Sequence, residues 1–186
     1  MKTTLRILAL PLLLAAAHAQ SLAFDTAQTK VEFTLADVLH TVQGTFQLKR
    51  GNIHIDAASG AVTGELVVDA TSGNSGSGAR DRRMHANILE SDKYPEIVFA
   101  PDRLVGAVPT QGKAALQMHG IFRIHGTGHE ITLPVDVEAA NGQYSAVLHF
   151  VVPYVQWGMK NPSTLFLRVS DKVNITVKTV AKVAGS

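Results

Sequence analysis

Apolar and polar residues alternate along most of this chain with a period of two, which is the pattern of an extended strand with one buried side. Val31, Phe33 and Leu35, for example, alternate with Lys30, Glu32 and Thr34. The pattern predicts eight strands, at residues 31–35, 42–55, 62–70, 97–105, 114–124, 131–137, 144–152 and 165–177. Eight strands with one apolar side each predict an all-β fold, and the alternation alone leaves a closed barrel and a two-sheet sandwich open.

Short turn sequences separate the predicted strands, so neighbouring strands must run antiparallel. These sequences lie at residues 58–60, 110–112, 126–128 and 141–142, and Asn141-Gly142 is the strongest hairpin signal among them. Within the second strand the apolar positions change parity between Leu48 and Ile53. A one-residue β-bulge around Arg50-Gly51 would explain the change, because one extra residue turns every later side chain to the other face.

Residues 71–99 interrupt the alternation and predict one short helix between the third and fourth strands. Residues 72–78 are rich in Gly and Ser, and we expect them to form a loop that contributes nothing to a core. Residues 79–90 have helical spacing, with Met84, Ile88 and Leu89 near one face. Tyr94-Pro95 prevents the helix from continuing. The segment is predicted to be a flap over one side of the fold, with the Gly/Ser part as its mobile portion.

The first 19 residues have the features of a cleavable signal peptide. Lys2 and Arg6 precede an apolar run that is too short for a membrane span, and Ala17-His18-Ala19 is a small-x-small cleavage site. An uncleaved N-terminal anchor is the alternative. The sequence therefore predicts a signal peptide at 1–19, one domain at 20–186, and a periplasmic or secreted protein.

Charge and cysteine content exclude several classes of function. The chain has 17 basic and 15 acidic residues, and Lys2 and Arg6 are the whole basic excess, so residues 20–186 hold 15 of each. A balanced chain without a basic patch argues against nucleic acid as a partner. The chain contains no cysteine, which excludes disulfides and thiol chemistry.

Motifs spread along the whole of residues 20–186 resemble those of the YceI-like family of secreted, lipocalin-like proteins. Val31-x-Phe33 is followed by His40, by Val42-x-Gly44-x-Phe46, and by Arg80-Asp81 at the start of the predicted helix. Tyr94-Pro95-x-Ile97-x-Phe99 and Leu133-Pro134-Val135 complete the match in the same order.

The resemblance implies an extended eight-stranded antiparallel barrel whose apolar tunnel holds a long amphiphile. It indicates a periplasmic or secreted binding protein, not an enzyme, that carries or sequesters an isoprenoid quinone, a polyprenyl lipid or a related lipid. No cofactor is required. The alternatives are an enzyme or enzyme accessory that presents the bound lipid for chemistry, and a stress protein that sequesters small hydrophobic compounds. A homodimer and transient contact with a membrane surface are left open.

Two sets of residues are predicted to form the binding site. The apolar side of the strands supplies the candidate tunnel lining, namely Phe33, Leu35, Phe46, Phe99, Leu116, Met118, Phe122, Leu148 and Phe150. The inserted segment supplies the candidates for the lipid head group or the flap, namely Arg80, Asp81, Arg82, Met84, His85 and Tyr94. Asp81 is predicted to cap the helix. Arg80 either ties the helix to the barrel or pairs with a polar head group. Residues 157–162 are expected to cover a barrel end or to flank the tunnel opening.

No catalytic or metal-binding motif is present. The chain has neither a GxSxG nucleophile sequence nor an HExxH zinc sequence. His119, His125 and His129 are close in sequence, but their spacing does not match a metal-ligand motif, and we expect no metal site.

Overall fold

The computed structural model describes residues 19–36, 41–165 and 167–184. The region predicted as a signal peptide lies outside the described residues except for Ala19, and so does His40. Nine strands are present: β1 (Ala19–Phe24), β2 (Lys30–Ala36), β3 (Thr41–Asp56), β4 (Val62–Asn74), β5 (Glu96–Val105), β6 (Gly112–Ile124), β7 (Thr127–Ala140), β8 (Gln143–Val152) and β9 (Val173–Val183). A short helix, α1 (Gly78–Arg83), continues into a π-helical turn at Met84–Leu89.

The strands form a closed antiparallel barrel. Each strand from β2 to β9 pairs with its sequence neighbours, and β9 pairs with β2 to close the sheet. β1 also pairs with β3 and β9, so β1 and β2 together occupy a single position in the barrel. The barrel therefore has eight positions, with one short helix inserted between β4 and β5. The prediction of an eight-stranded antiparallel barrel is confirmed, and the sandwich is excluded.

The observed strands differ from the prediction near both ends of the chain. β1 was not predicted, because it adjoins the apolar N-terminal segment and has only two strongly apolar residues, Leu22 and Phe24. The last strand begins at Val173 and not at residue 165, and it continues to Val183. The apolar parity of residues 165–169 is misleading, because side chains of this segment form turns that compete with strand pairing. The Asn161 side chain accepts a hydrogen bond from the Ser163 amide (2.8 Å), and the Ser163 hydroxyl accepts one from the Val169 amide (2.9 Å).

The β-bulge predicted in β3 is present one residue earlier, at Lys49. Leu48 pairs with Val68 and Arg50 with Val67, so Lys49 has no partner on β4. The bulge brings the consecutive Lys49 and Arg50 side chains to the same Glu96 carboxylate, each at 2.9 Å. Hydrogen bonds from Arg50 and then from Lys49 lower the pKa of Glu96 to about 2. An irregular pairing on the outer wall thus joins β3 to β5 across β4.

The two ends of the barrel differ. One end, called the turn end here, has the short connections 57–61, 106–111 and 141–142. Asn141 and Gly142 have φ values of 52° and 74°, as the predicted two-residue hairpin requires. The other end, called the helix end, carries α1 with its π-turn, the β6–β7 turn at His125–Gly126 and the long segment 153–172. The Ser170 amide donates to the Ala36 carbonyl (2.9 Å), which fixes that segment beside the end of β2.

Candidate functional site

A cavity of about 650 Å³ fills the barrel. All nine predicted lining residues lie along it, namely Phe33, Leu35, Phe46, Phe99, Leu116, Met118, Phe122, Leu148 and Phe150. Its wall is almost entirely apolar because the inward side of every strand position carries the apolar half of the alternating pattern. This volume is within the range of small-molecule sites in proteins. Whether these residues contact a ligand stays a prediction.

Two apolar clusters form the cavity wall. Leu116, Met118 and Leu148 belong to the cluster toward the turn end, which also includes Ile53 and Tyr144. Most of the aromatic candidates belong to a second cluster at the helix end, with Leu89, Tyr154 and Met159. The Phe33 and Phe46 rings are 5.5 Å apart, and the Phe122 and Phe150 rings meet edge to face at 5.9 Å. Ring pairs of this geometry add stability beyond the area that they bury.

The cavity opens beside α1. Of the residues that line it, only Ala79, Arg80 and Arg83 are exposed, and all three belong to this helix. Ser77 from the same region and Pro162 and Leu167 from segment 153–172 line the cavity near the opening. The opening is therefore at the helix end, and two arginines stand at its edge.

Arg80 and Asp81 bind Ser75, in the loop that precedes the helix. The Ser75 amide and hydroxyl donate to Asp81 Oδ1 at 2.8 and 2.5 Å. Arg80 Nε donates to the Ser75 hydroxyl (2.8 Å), and another Arg80 guanidinium nitrogen donates to the Ser75 carbonyl (3.0 Å). The predicted role of Asp81 as a helix cap is wrong, because its carboxylate binds the loop and Ser77 at the N-cap makes no side-chain cap. Arg80 holds the loop through these bonds and also lines the cavity, and its pairing with a lipid head group stays a prediction.

The Gly/Ser-rich segment is therefore held in place. Its first residues extend β4 to Asn74, and Ser75 is buried with both its backbone and its side chain bonded. The expectation that residues 72–78 form a loop is therefore wrong for residues 72–74, which continue β4. Composition alone suggested a loop, but the Arg80-Asp81 pair five and six residues later supplies the partners that fix it.

We expect Asp81→Ala to destabilise the protein by about 1 kcal/mol, lowering Tm by roughly 2–4 °C, without emptying the cavity. The hydrogen bond from the Ser75 hydroxyl holds the pKa of Asp81 below its ordinary value; burial opposes this shift, and the bond from the Ser75 amide adds to it. Because folding lowers the pKa of Asp81, its ionised carboxylate stabilises the fold at pH values above the ordinary pKa of 3.8. This stabilisation is lost as the pH falls through the pKa of Asp81 in the folded state. Thermal unfolding at neutral pH should separate the variant from wild type, and the gap should narrow in acid. Asp92→Ala, at an exposed residue, is the control. An equal Tm for both variants would contradict a stabilising role for the hydrogen bonds between Ser75 and Asp81.

The other four candidates from the inserted segment have different positions. Met84 lines the cavity, whereas Arg82, His85 and Tyr94 do not. His85 Nε2 lies 2.9 Å from the Gly73 carbonyl and Nδ1 lies 2.8 Å from the buried Ser91 hydroxyl, so His85 fastens the π-turn to β4. Arg82 is exposed to solvent. None of these three residues is placed to contact a head group inside the cavity.

Tyr94 lies outside the barrel, where its ring packs against the β6–β7 turn. Its ring is 4.7 Å from the His125 ring, and a Cβ at Gly126 would lie only 2.5 Å from Tyr94 Cε1. The glycine thus leaves room for the tyrosine ring. Tyr94-Pro95 therefore acts as an external anchor at the end of the flap.

Comparison with known proteins agrees with this architecture. The YceI-like domain matches residues 22–181. The chain belongs to the YceI-like family. The resemblance predicted from the sequence is confirmed. No curated protein matches the chain.

Three solved structures share the fold of this YceI-like chain. BcnA of Burkholderia cenocepacia has a TM-score of 0.70 at 18% identity, covering 86% of this chain and 99% of its own. A polyisoprenoid binding domain from Saccharophagus degradans, described as implicated in plant cell wall breakdown, gives 0.68 at 14% identity, with 88% and 99% covered. The YceI protein of Campylobacter jejuni gives 0.56 at 14% identity, with 98% and 92% covered. At these identities the likeness establishes the barrel fold.

Gly44, in the YceI-like motif Val42-x-Gly44-x-Phe46, permits close packing at the helix end. A Cβ at Gly44 would collide with the Phe33 ring on β2 and would lie 2.5 Å from the Asn74 carbonyl on β4. The Phe33 ring therefore lies across the glycine and reaches Phe46. The motif is explained by packing next to the cavity.

The cavity lining contains no Asp, Glu, His or Lys among the described residues. Its ionisable groups are the two arginines and two tyrosines, Tyr144 and Tyr154. Burial, and to a smaller extent the charge of Asp171, raises the pKa of Tyr154 to about 12. The Tyr154 hydroxyl donates to the Ser170 carbonyl (2.7 Å). Burial thus moves the pKa of Tyr154 further from neutral pH, away from the range in which a general acid or base works best.

The three histidines considered for a metal point to different places. His119 lies on the outer wall between the Asp102 carboxylate (2.6 Å) and the Glu130 carboxylate (2.9 Å), which raise its pKa in that order. His125 packs on Tyr94, and the His129 ring stacks on Trp157 with centroids 4.0 Å apart. Burial lowers the pKa of His129. In the described part of the chain no group of three or more His, Asp or Glu side chains has an arrangement that could hold a metal ion.

Sequence reasoning missed several lining residues. Thr29 and Thr179 line the cavity with their hydroxyls 2.7 Å apart. In β9 the inward-facing residues have odd numbers from Val173 to Val177, and continuing this alternation would have predicted that Thr179 also faces inward. Tyr154 and Met159 of segment 153–172 are buried at the helix end. Their inward direction could not be read from sequence because the segment is neither strand nor helix. Residues 157–162 cover the barrel end, and Pro162 lies near the opening.

Proposed function

We propose that this protein binds a long amphiphilic lipid of the isoprenoid class, quinone-like or polyprenyl, in the barrel and carries or sequesters it in the periplasm or outside the cell. The observation that carries this proposal is the apolar cavity of about 650 Å³, whose exposed lining residues, among those described, all belong to α1. The structural similarity to a polyisoprenoid binding domain supports it.

The energetics of such a site suit a lipid. A prenyl chain that buries on the order of 400 Å² gains roughly 10 kcal/mol at about 25 cal/mol per Å². Loss of translational and conformational freedom offsets about half of this or more, which leaves a binding free energy typical of micromolar or tighter complexes. The apolar wall alone supplies this affinity. Polar selection is confined to the opening, where Arg80 and Arg83 stand.

A binding role fits the wall better than catalysis does. An enzyme acting on the bound lipid would need a group near its working pKa facing the cavity. Tyr154 is shifted away from neutral pH and bonded to a carbonyl, and the described wall has no carboxylate or imidazole. We therefore propose a protein that holds its ligand unchanged.

The test is to identify what the protein contains when it is purified from its own host. Native mass spectrometry should show an added mass close to one lipid per chain, and organic extraction followed by mass spectrometry should give an isoprenoid. Cell fractionation should place the protein in the periplasm or the medium. A cavity that is free of lipid after purification without detergent, and that takes up no added prenyl lipid, would overturn the proposal.

A further inference from the structure

The surface around the cavity opening has an exposed apolar side chain in a basic setting. Leu165 is 90% exposed, the most exposed of the large apolar side chains among the described residues. Pro162 and Leu167, close to Leu165 in the chain, line the cavity, so Leu165 belongs to the part of segment 153–172 that borders it. Exposing a leucine to water is unfavourable relative to burying it, so this position favours an apolar partner.

Basic side chains lie at the same end of the barrel as Leu165. Arg82 and Arg83 are exposed on α1, and Lys160 and Arg168 are exposed on either side of Leu165 in segment 153–172. None of these four side chains forms an ion pair with a carboxylate in the described residues. The nearby acid Asp81 is occupied by Ser75. An anionic partner would therefore complement the charge of this surface.

The connections at the turn end lack this basic character. Its connections 57–61, 106–111 and 141–142 contain no charged residue. Segment 153–172 alone carries three basic residues and one acidic residue, although residues 20–186 as a whole are balanced. The basic character is therefore concentrated at the end of the barrel where the cavity opens.

We propose that the helix end docks reversibly on the surface of a bilayer that contains anionic phospholipid, with Leu165 inserted among the head groups and Arg82, Lys160 and Arg168 on the phosphates. This inference rests on the proposed function, because docking here lets a lipid move between bilayer and cavity without crossing water. A lipid that crossed water would lose most of the free energy of its apolar burial. The four side chains named here form the docking surface.

Vesicle partitioning tests the docking surface. The full chain is mixed with vesicles of phosphatidylcholine alone, or of phosphatidylcholine with phosphatidylglycerol, and bound protein is measured by flotation. We expect preferential binding to the anionic vesicles that weakens as salt is added. Arg82→Gln with Arg168→Gln should lower the partition constant by about 30-fold, since each basic residue near an anionic surface contributes about 5-fold. Leu165→Ser should lower it by about 10-fold.

Matched controls come from the turn end. Val105 is 57% exposed at the end of β5, and Lys182 is exposed on β9. Val105→Ser and Lys182→Gln should leave partitioning within about twofold of wild type. Wild type, test variants and controls are prepared identically, so any contribution of residues 1–18 is common to all. Equal partitioning of all variants, equal losses in the controls, or no preference for anionic vesicles would overturn the docking surface.

Lipid content separates this inference from the proposed function. Arg82, Leu165 and Arg168 do not line the cavity, so their variants should retain the wild-type amount of bound lipid. Transfer of that lipid to anionic vesicles should slow in proportion to the loss of partitioning. Lipid-filled variants that transfer at the wild-type rate would overturn docking and leave the binding function standing. An empty cavity in wild type would overturn the binding function itself.

Discussion

Ala146→Trp is expected to remove the longest ligands from the cavity while leaving the barrel folded. Ala146 faces inward on β8, lines the cavity and is partly buried against the cluster toward the turn end. An indole at this position would extend into empty space and bury up to roughly 150–250 Å² of apolar surface, so Tm should stay the same or rise. The same indole would occupy the part of the cavity farthest from the opening, where the tail of a long chain must lie.

The expected loss of affinity follows from the buried area. If a third of about 400 Å² of ligand surface can no longer be buried, the complex loses roughly 3 kcal/mol, or about 100-fold in Kd. Shorter homologues end before the indole and should bind as in wild type. Mass spectrometry of extracted lipid should therefore show a shift to shorter chains, and titration with a homologous series of prenyl lipids should show the break in affinity.

Ser145→Trp is the matched control for this variant. Ser145 is the preceding residue on β8, and its side chain is exposed on the outer face. It adds the same indole to the same strand without reaching the cavity, and ligand content should not change. Wild-type amounts of the same long lipid in Ala146→Trp would show that the chain does not lie along the barrel interior.

The barrel could be predicted from sequence because one short-range rule determines it. A period of two decides which side chains face inward, and all nine predicted lining residues follow that rule onto the cavity wall. Short connections with turn residues fix the antiparallel order, as at Asn141-Gly142. The bulge at Lys49 was also accessible, because it leaves a parity change in the sequence.

The opening could not be predicted, because it depends on contacts between residues whose roles have no periodic signature. The position of Asp81 predicts a helix cap, but its carboxylate accepts hydrogen bonds from Ser75 of the preceding loop. Tyr94 reads as part of the flap, yet its ring packs outside on the Gly126 turn. The path of segment 153–172 is set by side-chain turns and by the hydrogen bond from Ser170 to Ala36. Such contacts are specified by the tertiary fold, so local propensity is a poor guide to them.

Gly44→Val is expected to destabilise the barrel by about 3 kcal/mol, which corresponds to a Tm lower by roughly 6–12 °C. Gly44 has an ordinary strand conformation, so backbone strain is not the cause. The added side chain would collide with the Phe33 ring and approach the Asn74 carbonyl, where β3 pairs with the end of β4. Phe33 can move only by giving up its contact with Phe46. Thermal or denaturant unfolding measures the loss.

A second substitution identifies the collision as the cause. Phe33→Leu removes the ring that blocks the new side chain, so the double variant Gly44→Val with Phe33→Leu should lose less stability than the two single effects added together. Gly78→Ala is the control for a glycine with room for a side chain, because its nearest neighbour is the end of the flexible Arg82 side chain at 3.6 Å. It should be neutral or slightly stabilising in α1. Strict additivity in the double variant would instead place the whole cost on the Asn74 side, and the glycine of the motif would then serve strand pairing and not the aromatic packing that shapes the cavity.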